Sequence, residues 1–392
     1  MKPIALLACL CLVLAARNAA GDPPTTRASA ADVWILSGQS NACAKRPGQF
    51  APPVTDKIQW YDPRAGKWTV LTGDLTGMTR TGRASPFHTA AWEAARAGRT
   101  VRMLGYSRGG AAIAHWLHQR ENSGLKLLEQ VVRPAGRNAD VFIWYQGESD
   151  AAKAEPDPAG YQRGLTRLVG GVRKMAASPD MLAVIVQLGN WRKDKGRFHA
   201  IREAQRQFVI ADGNAVLVPA LGRPLADNVH LTPRSQAELG VEIGRAIRKT
   251  RHRAAGVNWP GPVLDAASRT DPRTVVAHFA EATRLSGAAA GDFKVLDADG
   301  EAACVRVAPL ATTVTLTLDR PVRLPARLGY AYEQNPAAGL RDEEGNRAPA
   351  VLIDLAADVR IADEPTSAPN GAGRATPQPK ASTAPGTPKT AR

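Results

Sequence analysis

The chain has 392 residues, 44% hydrophobic and 22% charged, which supplies a sizeable core and excludes wholesale disorder. No apolar run reaches the roughly 18 residues of a spanning helix, so a polytopic helical membrane protein is excluded, and four cysteines in this length exclude a disulfide scaffold. The formal charge of +15, from 51 basic against 36 acidic residues, raises nucleic acid as a partner. The cations are scattered with no block of five or six, and no zinc-finger, basic-helix or aromatic RNA-binding pattern accompanies them. A generally basic surface with no nucleic-acid partner is the reading.

Met1-Lys2, an apolar stretch over 4–16 and Arg17-Asn18-Ala19-Ala20 have the form of a secretory signal peptide over 1–20. Export to the periplasm or the outside of the cell follows. The lipobox-like spelling Leu6-Leu7-Ala8-Cys9 offers a lipid anchor at Cys9 as the lesser alternative, because its apolar lead-in is short. Residues 21–30 form a polar leader. Cleavage leaves Cys43 and Cys304, whose pairing the sequence leaves open.

From 31 to 255, short β-branched apolar runs at 33–36, 101–104, 141–144, 182–188 and 215–218 predict strands buried on both faces. Between them, amphipathic stretches at 86–97, 113–132, 159–176, 199–210 and 233–250 predict helices, the last opened by Thr232-Pro233. Strand alternating with helix predicts a parallel sheet covered on both sides. In such sheets ligands bind beyond the carboxyl ends of the strands. From 256 to 362 the runs at 274–279, 292–296, 303–307, 312–318 and 328–332 are short and alternating, which predicts a small antiparallel β unit. The Pro, Ala and Thr-rich residues 363–392 read as a disordered tail.

Four polar clusters stand at the ends of predicted elements. Ser37-Gly38-Gln39-Ser40-Asn41 follows the first strand and would set a hydroxyl at the sheet edge, though such a turn has a purely structural reading too. Ser107-Arg108-Gly109-Gly110 follows the second, where paired glycines let backbone N–H groups approach a developing oxyanion. Gln146-Gly147-Glu148-Ser149-Asp150 follows the third. Asp227-Asn228-Val229-His230 precedes the last helix and spaces a carboxylate and an imidazole as an orienting acid and a base. Each string is weak alone; their joint placement at strand ends is the stronger signal. His115 and His118 sit at a spacing metals use, but no carboxylate or cysteine completes a site, and a packed pair is preferred.

The segments GQSN, GGAAIAHW, WYQGESD and DNVH together resemble the SGNH-hydrolase superfamily, and within it the sialate O-acetylesterase and related carbohydrate-esterase branch. Ile201-Arg202-Glu203-Ala204-Gln205 resembles that branch's I-R-E-A-Q helix, and the segments 328–332, 335–336 and 345–349 look like its closing region. The resemblance covers about residues 31–355. It implies a three-layer, flavodoxin-like α/β fold with helices on both faces of a parallel sheet, plus the C-terminal antiparallel unit. It implies an exported serine esterase removing acetyl groups from a carbohydrate partner, sialic acid or an acetylated polysaccharide, with no metal or cofactor. Carried over position by position, Ser40 would be the nucleophile, His230 the base and Asp227 its orienting acid. The backbone N–H of Ser40, that of Gly109 or Gly110, and the Gln146 side chain would bind the oxyanion. Asn41, Arg108 and Glu148 would touch substrate. Ala111 stands where the branch commonly has threonine, which bears on the sugar rather than the triad. The rival reading is a glycan-binding or scaffold protein that keeps the fold without turnover.

Overall fold

The computed structural model describes residues 31–42, 48–75, 78, 85–136, 138–193 and 197–356. The expected signal peptide, leader and tail lie outside the described residues, as do Cys9 and Cys43. Cys304 is buried as a free thiol.

The first half is built from β1 (Asp32–Gly38), β2 (Ile58–Asp62), β3 (Lys67–Val70), α1 (Phe87–Ala95), β4 (Val101–Ser107), α2 (Ile113–Leu117), α3 (Gly124–Ala135), β5 (Val141–Tyr145), α4 (Glu148–Ala151), α5 (Pro158–Met175), β6 (Leu182–Gln187), α6 (Phe198–Asp212), β7 (Ala215–Pro219) and α7 (Pro233–Thr250). The strands form one sheet in the order β3-β2-β4-β1-β5-β6-β7. Every pairing is parallel except that of β2 with β3. Each run expected as a strand in this half falls on one.

The continuous apolar strands serve two cores, because successive side chains point to opposite faces. Trp34 and Leu36 of β1 pack with Phe87 and Ala90 of α1 and Leu239 and Ile243 of α7. Ile35 between them packs on the other face with Trp116, Leu128, Leu165 and Phe208. Full burial of a side chain such as Ile35 contributes roughly 1.5–3 kcal/mol.

The helix expected over 113–132 is two helices. Trp116 is fully buried, edge-on to Trp144 at 5.0 Å between centroids. A Cβ on Gly124 would lie 2.4 Å from its ring. The chain turns around that indole, and Ser123 restarts the helix by accepting from the Lys126 N–H. Apolar periodicity continues across the break, which is why the two merge in the sequence.

The second half holds β8 (Val263–Asp271), β9 (Thr274–Ala280), β10 (Phe293–Asp297), β11 (Gly300–Leu310), β12 (Thr313–Leu318), β13 (Arg327–Tyr330) and β14 (Val351–Asp354). They form a separate, wholly antiparallel sheet in the order β14-β13-β10-β11-β12-β9-β8. A parallel bridge between Ser268 and Ala356 brings its two edges together around a core that includes Val295, Leu316 and Tyr330. Strand β8 escapes a pattern reading because its register shifts at Leu264/Ala266 and again at Arg269/Asp271. Each irregularity breaks the alternation of inward and outward side chains.

The sheets are joined by buried polar groups. Gln187 at the end of β6 pairs with Ala350 in both directions, at 2.8 Å each way. Arg202 of α6 is fully buried, and its guanidinium donates to carbonyls on both sides of the junction. On one side are Leu188 (2.9 Å) and Gly189 (2.6 Å), on the other Glu333 and Gln334 (3.1 Å). Burial pushes the Arg202 pKa down to about 9. The exchange Arg202→Met would leave the buried Leu188 and Gly189 carbonyls without this donor. It should destabilise the protein by on the order of 3 kcal/mol, read as a lower urea midpoint.

Candidate active site

Strand β1 lies between β4 and β5, and the chain winds away from it in both directions. The crevice beyond the carboxyl end of such a strand is the natural place for a ligand. Gly38 ends the strand at φ +146°, where a Cβ would lie 2.1 Å from the Tyr145 carbonyl oxygen. No other residue fits, and the Gln39 N–H donates to that same carbonyl at 3.0 Å. A single 3-10 turn, Ser40–Ala42, follows and sets Ser40 at the sheet edge.

The loop between β7 and α7 supplies the other groups. Asp227 Oδ1 accepts from the backbone N–H of Val229 (2.9 Å) and His230 (2.8 Å), closing a tight turn. The turn brings His230 Nδ1 to 2.8 Å from Asp227 Oδ2. The other ring nitrogen, Nε2, stands 2.8 Å from Ser40 Oγ. A carboxylate beside Nδ1 keeps the proton there and leaves the Nε2 lone pair for the serine hydroxyl. Burial alone would raise the Asp227 carboxyl. The Val229 and His230 N–H donors and the imidazole outweigh it and hold Asp227 well below the usual carboxylate range, so it is an anion wherever His230 would need one.

Ser40 and His230 line a cavity of about 340 Å3 together with Gly109, Gly110, Glu148 and Trp191. Among the described residues, no acceptor takes the backbone N–H of Ser40, Gly109 or Gly110. Gly110 has φ +71° and open space where a side chain would stand.

Other expected residues lie elsewhere. Gln146 is fully buried. Its amide nitrogen faces three acceptors, Gln39 Oε1 (3.1 Å), the Ala111 carbonyl (3.0 Å) and Asp150 Oδ2 (2.7 Å). With both hydrogens committed, it is a brace beneath the site and not a donor in the cavity. Asn41 is buried too and faces the protein, not a substrate. Its amide donates to Glu148 Oε1 (2.7 Å) and the Val229 carbonyl (3.1 Å), and its oxygen accepts from Leu231 N (3.3 Å) and Gln236 Nε2 (3.2 Å). The Arg108 side chain is exposed and does not line the cavity. Its backbone serves the turn by donating to the Gly38 carbonyl at 3.0 Å.

Glu148 does line the cavity while remaining buried. Burial, with Asp150 adding to it and the Asn41 hydrogen bond opposing it, raises its pKa to about 7. Sequence reasoning passed over Gln39 and Trp191. Gln39 takes the Gln146 amide and the Ser149 N–H at 3.2 Å. Trp191 is within reach of the strand-end rule applied to β6, since Gly189-Asn190-Trp191 follows it closely.

Asn41→Ala would strip a partner from the Val229 carbonyl, the Leu231 N–H and Glu148 Oε1, while Gln236 keeps only the Asn41 backbone carbonyl. It should cost about 2–4 kcal/mol in thermal or urea unfolding and lower turnover of a small aryl acetate as well. Glu148 has a folded pKa above the ordinary value. The stability it contributes is complete below the ordinary glutamate range and is lost as pH rises through about 7. Melting temperature measured from pH 5.5 to 8.5 should therefore fall less steeply in Glu148→Gln than in the unaltered protein.

Comparison with known proteins accords with this geometry. The family model "Carbohydrate esterase, sialic acid-specific acetylesterase" matches residues 30–249. A probable carbohydrate esterase of Arabidopsis thaliana is 32% identical over 145 residues, 35% of this chain and 52% of that protein. The chain thus matches about half the length of this curated relative. The crystal structure of a carbohydrate acetylesterase from Xanthomonas citri is similar in fold, with a TM-score of 0.64 at 19% identity over 82% of this chain and 80% of that one.

Proposed function

This chain belongs to the carbohydrate esterase, sialic acid-specific acetylesterase family, and from that premise we propose that it is a serine esterase that removes O-acetyl groups from carbohydrate by way of an acetyl-enzyme on Ser40. The observation that carries the proposal is the unbroken line from Ser40 Oγ through His230 to Asp227, 2.8 Å at each step, on the wall of a cavity.

Ser40 Oγ attacks the ester carbonyl carbon as its proton passes to His230 Nε2. The carbonyl oxygen becomes an oxyanion, and the N–H groups of Ser40 and of Gly109 or Gly110 are the donors positioned for it. Asp227 stabilises the imidazolium and keeps the ring in place without taking its proton. Collapse of the tetrahedral adduct breaks the bond to the sugar oxygen, which takes the proton from His230 Nε2 and departs as the alcohol. Water then gives its proton to His230 and attacks the acetyl carbon. The second collapse frees acetate and returns the proton to Ser40. Sialic acid esters and acetylated polysaccharides are the substrate classes. The apolar stretch over 4–16 supports work outside the cytoplasm.

The test is acetate release from O-acetylated sialic acid and from acetylated xylan, measured for the unaltered protein and for Ser40→Ala. Ser40→Ala should lose at least about a thousandfold in turnover with its circular dichroism unchanged. Turnover that survives the substitution overturns the serine mechanism.

A further inference from the structure

Trp191 is a wall of two cavities. One is the catalytic cavity; the other, about 630 Å3, takes most of its remaining surface from the second sheet and the loop that follows β13. Both volumes fall in the roughly 300–1,000 Å3 range of small-molecule sites. We propose that this second cavity holds a further sugar of the same glycan chain, so that the substrate is an acetylated oligo- or polysaccharide and not a free monosaccharide. The proposal rests on the esterase reading for the position of the ester at Ser40.

Two kinds of surface meet in the cavity. Tyr332 supplies a flat apolar face and Trp191 a second, over which the exposed Lys193 ammonium stands 5.7 Å from the ring centroid, and both rings are braced. Trp191 stacks on Phe198 with centroids 5.3 Å apart and 14° between planes, and Tyr332 meets His199 edge-on at 4.8 Å. Rigid aromatic faces bind the C–H faces of a pyranose with little ordering cost. Lys294, Glu301 and Asn335 supply hydrogen-bonding groups beside them. Lys294 is already held by Glu301 (3.0 Å) and Glu333 (3.2 Å), while Arg192 and Lys193 also line the cavity and leave it mildly basic. His199, kept neutral by burial and by the neighbouring cations Arg202, Lys294 and Arg197, adds no net charge. Flat apolar faces beside hydrogen-bonding groups match a sugar ring, neutral or bearing a carboxylate, better than a compact anion with no apolar face. Arg202 fixes both walls at once, because it donates to Gly189 on the Trp191 side and to Glu333 and Gln334 beside Tyr332.

The experiment compares kcat/KM for acetylated xylan with that for 4-nitrophenyl acetate, using the full chain. Tyr332→Ala removes an aromatic face, and Asn335→Arg fills the cavity from an exposed position. Each should lower the ratio of the two kcat/KM values about tenfold, chiefly through KM for the polymer. A ratio that stays put in both variants overturns the proposal. A second readout does not require turnover: calorimetric titration of Ser40→Ala with unacetylated xylo-oligosaccharide. Binding that disappears when Asn335→Arg is added supports the second sugar position even if the ester chemistry fails. Absence of binding, or binding indifferent to Asn335→Arg, overturns it.

Discussion

Ser40 and His230 stand 190 residues apart in the chain, yet their reacting atoms must meet at hydrogen-bond distance. Neither local turn can secure that distance alone. Asn41 joins them. Next to the serine in sequence, it uses both ends of its amide to hold the Val229 carbonyl and the Leu231 N–H, the groups that flank His230. It also ties in Glu148 beyond β5 and Gln236 on α7. Inside a protein such a network is strong when every member is satisfied and costly when one is missing, so the spacing of the reacting groups is inherited from a residue that does not react.

The same economy of means appears at the junction of the sheets. Arg202 is a buried guanidinium held by carbonyl oxygens from both sides, and Gln187 repeats the pattern at Ala350. Carbonyl acceptors hold a guanidinium in one orientation only, since each N–H points along a fixed direction. The second sheet is thereby set at a defined position against the loop that carries Trp191, and the cavity on the far side of that indole gains walls that the first sheet could not build.

Much of this is legible in the amino-acid order. Five strands of the first sheet are plain because they are covered on both faces, and a near-continuous apolar run of that length suits few settings besides a covered parallel strand; β2 and β3 at one side of the sheet, the latter with no buried residue, lack such a run and escape the pattern. The clusters around Ser40, Gly110 and His230 are legible as polar strings at strand ends. What the sequence conceals is long-range pairing. Nothing near Gln146 in the chain says that its amide will be claimed by Gln39 and Ala111. Nothing near Asn41 shows that its neighbours will come from residues 229, 231 and 236. An amide at the end of a strand looks the same whether it faces a cavity or the interior. Strand β8 is hidden for a different reason, two register shifts that erase the period-two pattern, and the break before α3 is hidden by an indole whose partner glycine is eight residues on.

Arg202 also bears on how such a chain can change over evolutionary time. A second domain linked only by a flexible tether can be lost, exchanged or duplicated without disturbing its neighbour. Here the arginine belongs to the first sheet's layer and two of its four acceptors to the other half. Recombination that removed the second half would leave the arginine only its Leu188 and Gly189 acceptors, and a foreign replacement would have to present carbonyls in the places of Glu333 and Gln334. The junction therefore makes the two halves one unit of stability, in which a change of either half's backbone is felt by the arginine between them.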